Sequence, residues 1–168
     1  MATLREIRRR IGGIRSTQQI TKAMKMVAAA KLRQAQDNIF AARPYARKIN
    51  ALLRHLVTKV DPAIHPLLAP REMKRVAVII VSSDRGLCGA FNTNIIRTGM
   101  SHIETNYEEL LNAGRVRIIP VGKKAYYFFS KRYLGITAKH VGVFSHLSFH
   151  HAQQIIREVV DAYLLQDI

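Results

Sequence analysis

The 168-residue sequence has one cysteine, eleven acidic residues and no long apolar run, and each shortage excludes something. A single thiol, Cys88, cannot form a disulfide within the chain, which fits a reducing compartment. No stretch approaches the roughly 18 uninterrupted apolar residues of a membrane span. The N-terminus, MATLREIRRR, lacks the apolar segment of a secretory signal. An Arg-rich amphipathic start would suit an organellar transit peptide, but no Ser-rich, cleavable stretch follows. The sequence therefore reads as a soluble chain without direct membrane insertion, though attachment to something at a membrane stays open. It has no internal repeats and no low-complexity tracts. Its length suits one or at most two domains with a real core.

The scarcity of acids is uneven. Against 11 Asp and Glu stand 27 Lys and Arg, a net charge of +16. Residues 1–58 carry 13 basic side chains and only two acids, Glu6 and Asp37. Such an excess calls for acidic partners, whether nucleic acid, anionic lipid or acidic protein, and charge alone does not choose among them.

Residues 4–56 follow a heptad. With Leu4 as the first seam position, the seam runs Leu4, Ile7, Ile11, Ile14, Gln18, Thr21, Lys25, Ala28, Leu32, Ala35, Ile39, Ala42, Ala46, Ile49, Leu53 and Leu56. Thirteen of these sixteen are apolar, and the three exceptions are consecutive. A pattern held this long predicts a coiled-coil helix about 80 Å long. At the exceptions Ile20, Met24 and Val27 offer a second stripe, which suggests a change of neighbour. Gly12-Gly13 costs about 1 kcal/mol per glycine, and Pro44 about 3 kcal/mol, so a helix ending at Ala42 is the simpler reading. The seam nevertheless keeps its phase across Pro44, and a kinked, continuous helix explains that better. No second heptad run of comparable length follows, so the partner helix is expected in another chain or in a part of the protein not given by this sequence. The basic residues are not on one stripe: Arg5 falls at b, Arg8 and Lys22 at e, Arg9 at f, Arg10 at g. A helix lying on DNA would gather charge on one face. Charge on several faces suits a rod surrounded by acidic surface.

Residues 59–74 contain three prolines in nine positions and read as a linker. From residue 75 the pattern alternates. RVAVIIVSS predicts a strand buried on both faces, and residues 89–114 a helix closed by Gly114. RVRIIPVG predicts a second strand, KKAYYFFSKRYL a short helix, ITAKHVGVF a third strand, and residues 148–166 a helix opening at Ser148. The order β-α-β-α-β-α implies a Rossmann-like three-layer α/β domain with a parallel sheet, incomplete at the C-terminus. The expected organisation is a shaft helix at 1–58, a linker at 59–74 and the α/β domain at 75–168.

The loop SSDRGLCGAFN, residues 82–92, joins the first strand to its helix, the place where many enzymes bind phosphate. It matches neither G-x-x-x-x-G-K-[ST] nor G-x-G-x-x-G, and Asp84 would repel a phosphate. Its glycines are explained by positive φ at a turn. Cys88, three residues from Arg85, would gain reactivity only with a base nearby; the plainer reading is a small packing side chain. His146, His150 and His151 have helical spacing for a metal, but no Cys or carboxylate lies within four residues, and solvated or capping roles fit better. Tyr126, Tyr127, Phe128, Phe129 and Tyr133 could stack bases but, on a short helix over a sheet, read as core. No cofactor is expected.

Three stretches carry a resemblance over the whole chain. IRRRIGGIRSTQQITKAMKMVAAAKLRQAQ, ARPYA at 42–46 and SSDRGLCGAFN together resemble the gamma-subunit family of rotary ATP synthases. The family's members run well past residue 168 and end in a second long helix that pairs with the first, so this sequence resembles the N-terminal part. The resemblance implies a non-catalytic rotor shaft in a ring of alpha and beta subunits, within a proton-translocating enzyme. It implies that Arg8, Arg9, Lys22, Met24, Lys25, Arg85 and Cys88 face partners, with Arg85, Cys88 and the TKAMK stretch near an acidic lever loop of beta. It further implies an α/β foot that holds the epsilon (delta-like) subunit and rests on the membrane rotor ring. Location would be peripheral, on the cytoplasmic face of a bacterial membrane, or on a mitochondrial or chloroplast membrane. The alternative from charge alone is a basic coiled-coil nucleic-acid binder, using the Arg cluster at 5–15 on phosphates.

Overall fold

The computed structural model describes residues 3–132, 136 and 139–168. Two compact units divide the chain, Met1–Asp61 and Pro62–Ile168.

The first unit is one helix, α1, Leu4–Val57, 54 residues long. It starts at a reciprocal cap. Thr3 Oγ1 accepts from Glu6 N at 3.4 Å, and Glu6 Oε2 accepts from Thr3 N at 2.9 Å, which satisfies two amides left over at a helix start. Arg54 and His55 sit in the last turn, where positive charge suits the carbonyl end. The helix passes through Gly12, Gly13 and Pro44 without a break, as the unbroken seam phase predicts. No residue of α1 is buried. Ile7, Ile11, Ile14, Leu32, Ile39 and Leu53 are all exposed, so the seam has no partner within the described residues.

The second unit is mixed α/β: β1 Val76–Val81, α2 Phe91–Asn106, α3 Glu108–Asn112, β2 Val116–Val121, α4 Lys123–Phe129 and α5 Phe149–Leu164. β1 and β2 are parallel and in register from Val76 opposite Val116 to Val81 opposite Val121, the geometry a helical crossover imposes. The core consists of Ile80, Ile103, Val116, Ile118, Ala125 and Phe129, with Val78, Ile95, Ile96 and Met100 packed on it. Phe129 is fully buried, which bears out the core reading of the aromatic helix, while Tyr127 is exposed; Tyr133 lies outside the described residues. Arg71 ties the proline-rich stretch to α5: its guanidinium stacks 4.0 Å above the Tyr163 ring and donates to Tyr163 O at 2.7 Å.

Several expectations need correction. The helix expected over 89–114 is two helices, α2 and α3, separated at Tyr107 (φ −137°, ψ 30°). Asn106 Nδ2 donates to the His102 carbonyl at 2.9 Å, a side-chain competitor for the helical acceptor, and Tyr107 turns in against the core. Gly114 does close the run, at φ +67°. Of the expected third strand the described residues show two parallel bridges, Ile118–Ile136 and Val121–His140. Thr137 and Ala138 lie outside the described residues, and Gly142, left-handed at φ 83°, turns the backbone into the short 3-10 turn Val143–Ser145. β1 is not buried on both faces, since Ile79 and Val81 are exposed; among the described residues only β2 pairs with it. α4 stops at Phe129, and α5 opens after Ser148 as expected, though the Ser148 hydroxyl makes no capping bond to the backbone.

Candidate functional site

β1 delivers the chain into a loop whose first residues, Ser82 to Asp84, are tied to the start of α4. Ser82 is buried, and its Oγ accepts from Ala125 N at 2.8 Å. The Ser83 carbonyl accepts from Lys124 N at 3.2 Å, and Asp84 Oδ1 from Lys123 N at 2.8 Å. Three consecutive residues of the loop thus satisfy the first three amides of α4, which otherwise have no helical acceptor. Gly122, at φ +97°, permits this closeness, because a Cβ there would collide with the Ser82 carbonyl.

Asp84 makes the contacts of longest reach along the chain. Beyond Lys123, its carboxylate accepts from Gly142 N at 3.1 Å and from Phe144 N at 3.2 Å. Partial burial alone would raise the Asp84 carboxyl, but the three backbone N–H donors and the Lys123 charge outweigh it and hold the group below its ordinary value near 3.8. The sequence analysis read Asp84 only as a group that repels phosphate; in the structure its carboxylate also clasps the backbone amides of Lys123, Gly142 and Phe144.

On the other side of the loop Asn92, in the first turn of α2, is the organiser. Its Oδ1 accepts from Ser83 N at 3.0 Å, and its Nδ2 donates to Cys88 Sγ at 3.0 Å and to the Arg85 carbonyl at 3.5 Å. Between these anchors Leu87 adopts φ +61° and is 98% exposed. A branched side chain in the left-handed region is strained by about 1 kcal/mol or more, and a hydrophobe held that way in solvent points to a contact surface. Cys88 is exposed, not the small packing side chain expected; the turn through Leu87 and Gly89 lifts it off the core and leaves Asn92 as its main partner. Among the described residues its hydrogen-bonding neighbours are Ser83, the Arg85 carbonyl and Asn92, none of them a base.

The loop brings Arg85 and Cys88 together. Arg8, Arg9, Lys22, Met24 and Lys25 all stand on α1 and are exposed. The clasping role of Asp84, and Leu87 and Asn92 altogether, escaped the sequence reading. Asp84 could have been suspected as an acid directly after a buried strand, and Asn92 as an amide four residues beyond Cys88; the strain at Leu87 leaves no sequence signal. His151 Nδ1 lies 2.8 Å from Ser148 Oγ at the start of α5, and His140 pairs with Glu158 at 3.0 Å. Among the described residues no group of three or more His, Cys, Asp or Glu is placed to hold a metal, and no helix is long and apolar enough to cross a membrane.

Comparison with known proteins bears on this arrangement directly. A family model described as ATP synthase matches residues 3–168. The chain belongs to the ATP synthase gamma-chain family. It is 51% identical over 169 residues to the ATP synthase gamma chain of Chloroherpeton thalassium, with 100% of this chain and 56% of that protein covered. The gamma chain of Chlorobaculum tepidum is 50% identical, with 100% and 58% covered. That of Salinibacter ruber is 48% identical, with 97% and 53% covered. The chain spans a little over half the length of the curated relatives it matches.

Proposed function

We propose that the protein is the central-stalk rotor subunit of a proton-translocating ATP synthase, itself non-catalytic. It couples rotation of a membrane ring to the nucleotide sites of its partners. The observation that carries this reading is a 54-residue helix of the ATP synthase gamma-chain family with no buried residue and basic side chains on several faces. Such a helix gains its stability from packing against other chains, and a ring of acidic loops matches charge on every side.

In this reading residues 1–58 form the shaft, 59–74 the connection and 75–168 a Rossmann-like α/β foot. Arg8, Arg9, Lys22, Met24 and Lys25 meet the alpha and beta subunits along the shaft. Arg85, with Leu87 and Cys88 beside it, meets an acidic loop of beta. The foot holds an epsilon-type subunit and rests on the rotor ring, at the cytoplasmic face of a bacterial membrane. ATP chemistry stays with the partners, whose sites change conformation in sequence as the shaft turns.

Affinity purification of the full-length tagged subunit from native lysate tests the assignment. It should co-elute with alpha and beta subunits and an ATPase activity at very high mass. Elution with nucleic acid, free of ATPase, would favour the basic coiled-coil binder and reject this function.

A further inference from the structure

Asp84 joins parts of the α/β unit that are far apart in sequence. Its carboxylate gathers the backbone amides of Lys123, Gly142 and Phe144, which lie 39, 58 and 60 positions further along the chain. Hydrogen bonds to an ionised acceptor are stronger than neutral ones, and three of them fix both carboxylate oxygens. One residue earlier, Ser83 is pinned to Asn92 through its N–H and its hydroxyl, both at 3.0 Å. The segment carrying Arg85, Leu87 and Cys88 therefore departs from a fixed carboxylate and returns to a fixed amide side chain. Inside that span Leu87 is held in a strained conformation that a free loop would relax.

Resting on the interface reading above, we infer that Asp84 is the positioning residue of this contact loop. It acts as an internal anion that fills the amide cradle at the strand end and sets the conformation in which Arg85, Leu87 and Cys88 meet the partner. The cradle is thereby closed to an outside anion, and the loop moves as one body with α4 and the 142–144 turn.

Asp84→Ala in the full-length subunit leaves the three N–H groups facing a hole the size of a carboxylate. Amide exchange at Lys123, Gly142 and Phe144 should accelerate by about tenfold or more, together with exchange across residues 85–89. Added formate, a free carboxylate that fits the hole, should slow both again. In the complex assembled with its partner subunits, the same variant should pump fewer protons per ATP hydrolysed. Asp84→Asn keeps the oxygen that serves Lys123 and Gly142 and loses the acceptor for Phe144. It should therefore raise exchange mainly at Phe144 and retain most of the coupling, and it carries the test where Asp84→Ala fails to fold. Unchanged exchange at the three amides overturns the inference, as does faster exchange with the loop and the coupling unaltered. A wild-type subunit that never assembles with an ATPase overturns the interface reading instead, while the exchange measurement still reports on the Asp84 clasp.

Discussion

Residues 4–57 form a single helix in which no side chain is buried, whereas the shorter elements after Pro62 enclose Ile80, Ile103, Ile118 and Phe129. The helix is held by local terms alone: a capping box, i to i+4 hydrogen bonds and propensity. Thr17 and Thr21 even turn their hydroxyls back onto the carbonyls of Gly13 and Thr17. The α/β unit is held by contacts between residues far apart in sequence, such as Asp84 with Phe144. The difference teaches where each region's stability resides. The α/β unit carries its own core; the long helix has none among the described residues.

Core truncation should separate the two regions most. Phe129→Ala removes a fully buried ring and should destabilise the full-length subunit by about 3–5 kcal/mol. Ile39→Ala, at an exposed seam position, should cost under about 0.5 kcal/mol in the free subunit and show its cost only on assembly. Denaturant unfolding of the two variants, free and assembled, checks both halves. A large loss from Ile39→Ala in the free subunit would mean the seam is already covered.

The same glycine change should have opposite signs in the two regions. Gly122→Ala drives a methyl into the Ser82 carbonyl at a positive-φ site and should cost about 3 kcal/mol or prevent folding. Gly13→Ala meets nothing within 4 Å and should raise helix stability by about 1 kcal/mol, visible as increased helicity by circular dichroism.

Acid should loosen the α/β unit before the long helix. Asp84 titrates lower in the folded protein than in the unfolded chain. The clasp's contribution is therefore fully present above the ordinary value near 3.8 and fades as pH falls through the lower folded value. The protection of Gly142 and Phe144, taken relative to the intrinsic amide exchange that itself slows in acid, should fall below about pH 4. In Asp84→Asn the same amides should show no such onset. The smallest effect is expected at Leu87. Leu87→Gly relieves the left-handed strain and should stabilise the free subunit by up to about 1 kcal/mol, while weakening coupling in the complex by removing the exposed apolar contact. Unaltered coupling would leave Leu87 as strain without a role.

Much of this was legible because periodicity survives local faults. The heptad runs in phase through Gly12-Gly13 and Pro44, so the helix could be traced through residues that propensity alone would make its ends. β1, β2, α4 and α5 were readable from apolar runs and from the helix opening at Ser148. The break at Tyr107 was not, because it depends on Asn106 reaching back to a carbonyl and on a ring turning inward. Nor was the end of the third strand, which Gly142 enforces through a left-handed turn. The contact loop was half readable. Its glycines announced a turn, but the role of Asp84 rests on amides 39 to 60 residues away, and the exposure of Cys88 rests on the conformation of Leu87.

The claim that α1 is a shaft inside acidic surroundings rests on charge at several azimuths, and three single reversals test it most directly. Arg5→Glu, Arg8→Glu and Arg10→Glu, at heptad positions b, e and g, are made in the full-length subunit, and complex recovery and ATPase activity are measured. A shaft that meets partners on all sides predicts that each reversal alone weakens assembly or coupling, by on the order of 1 kcal/mol. A large effect confined to one azimuth, with tight DNA binding by the wild type, would contradict it.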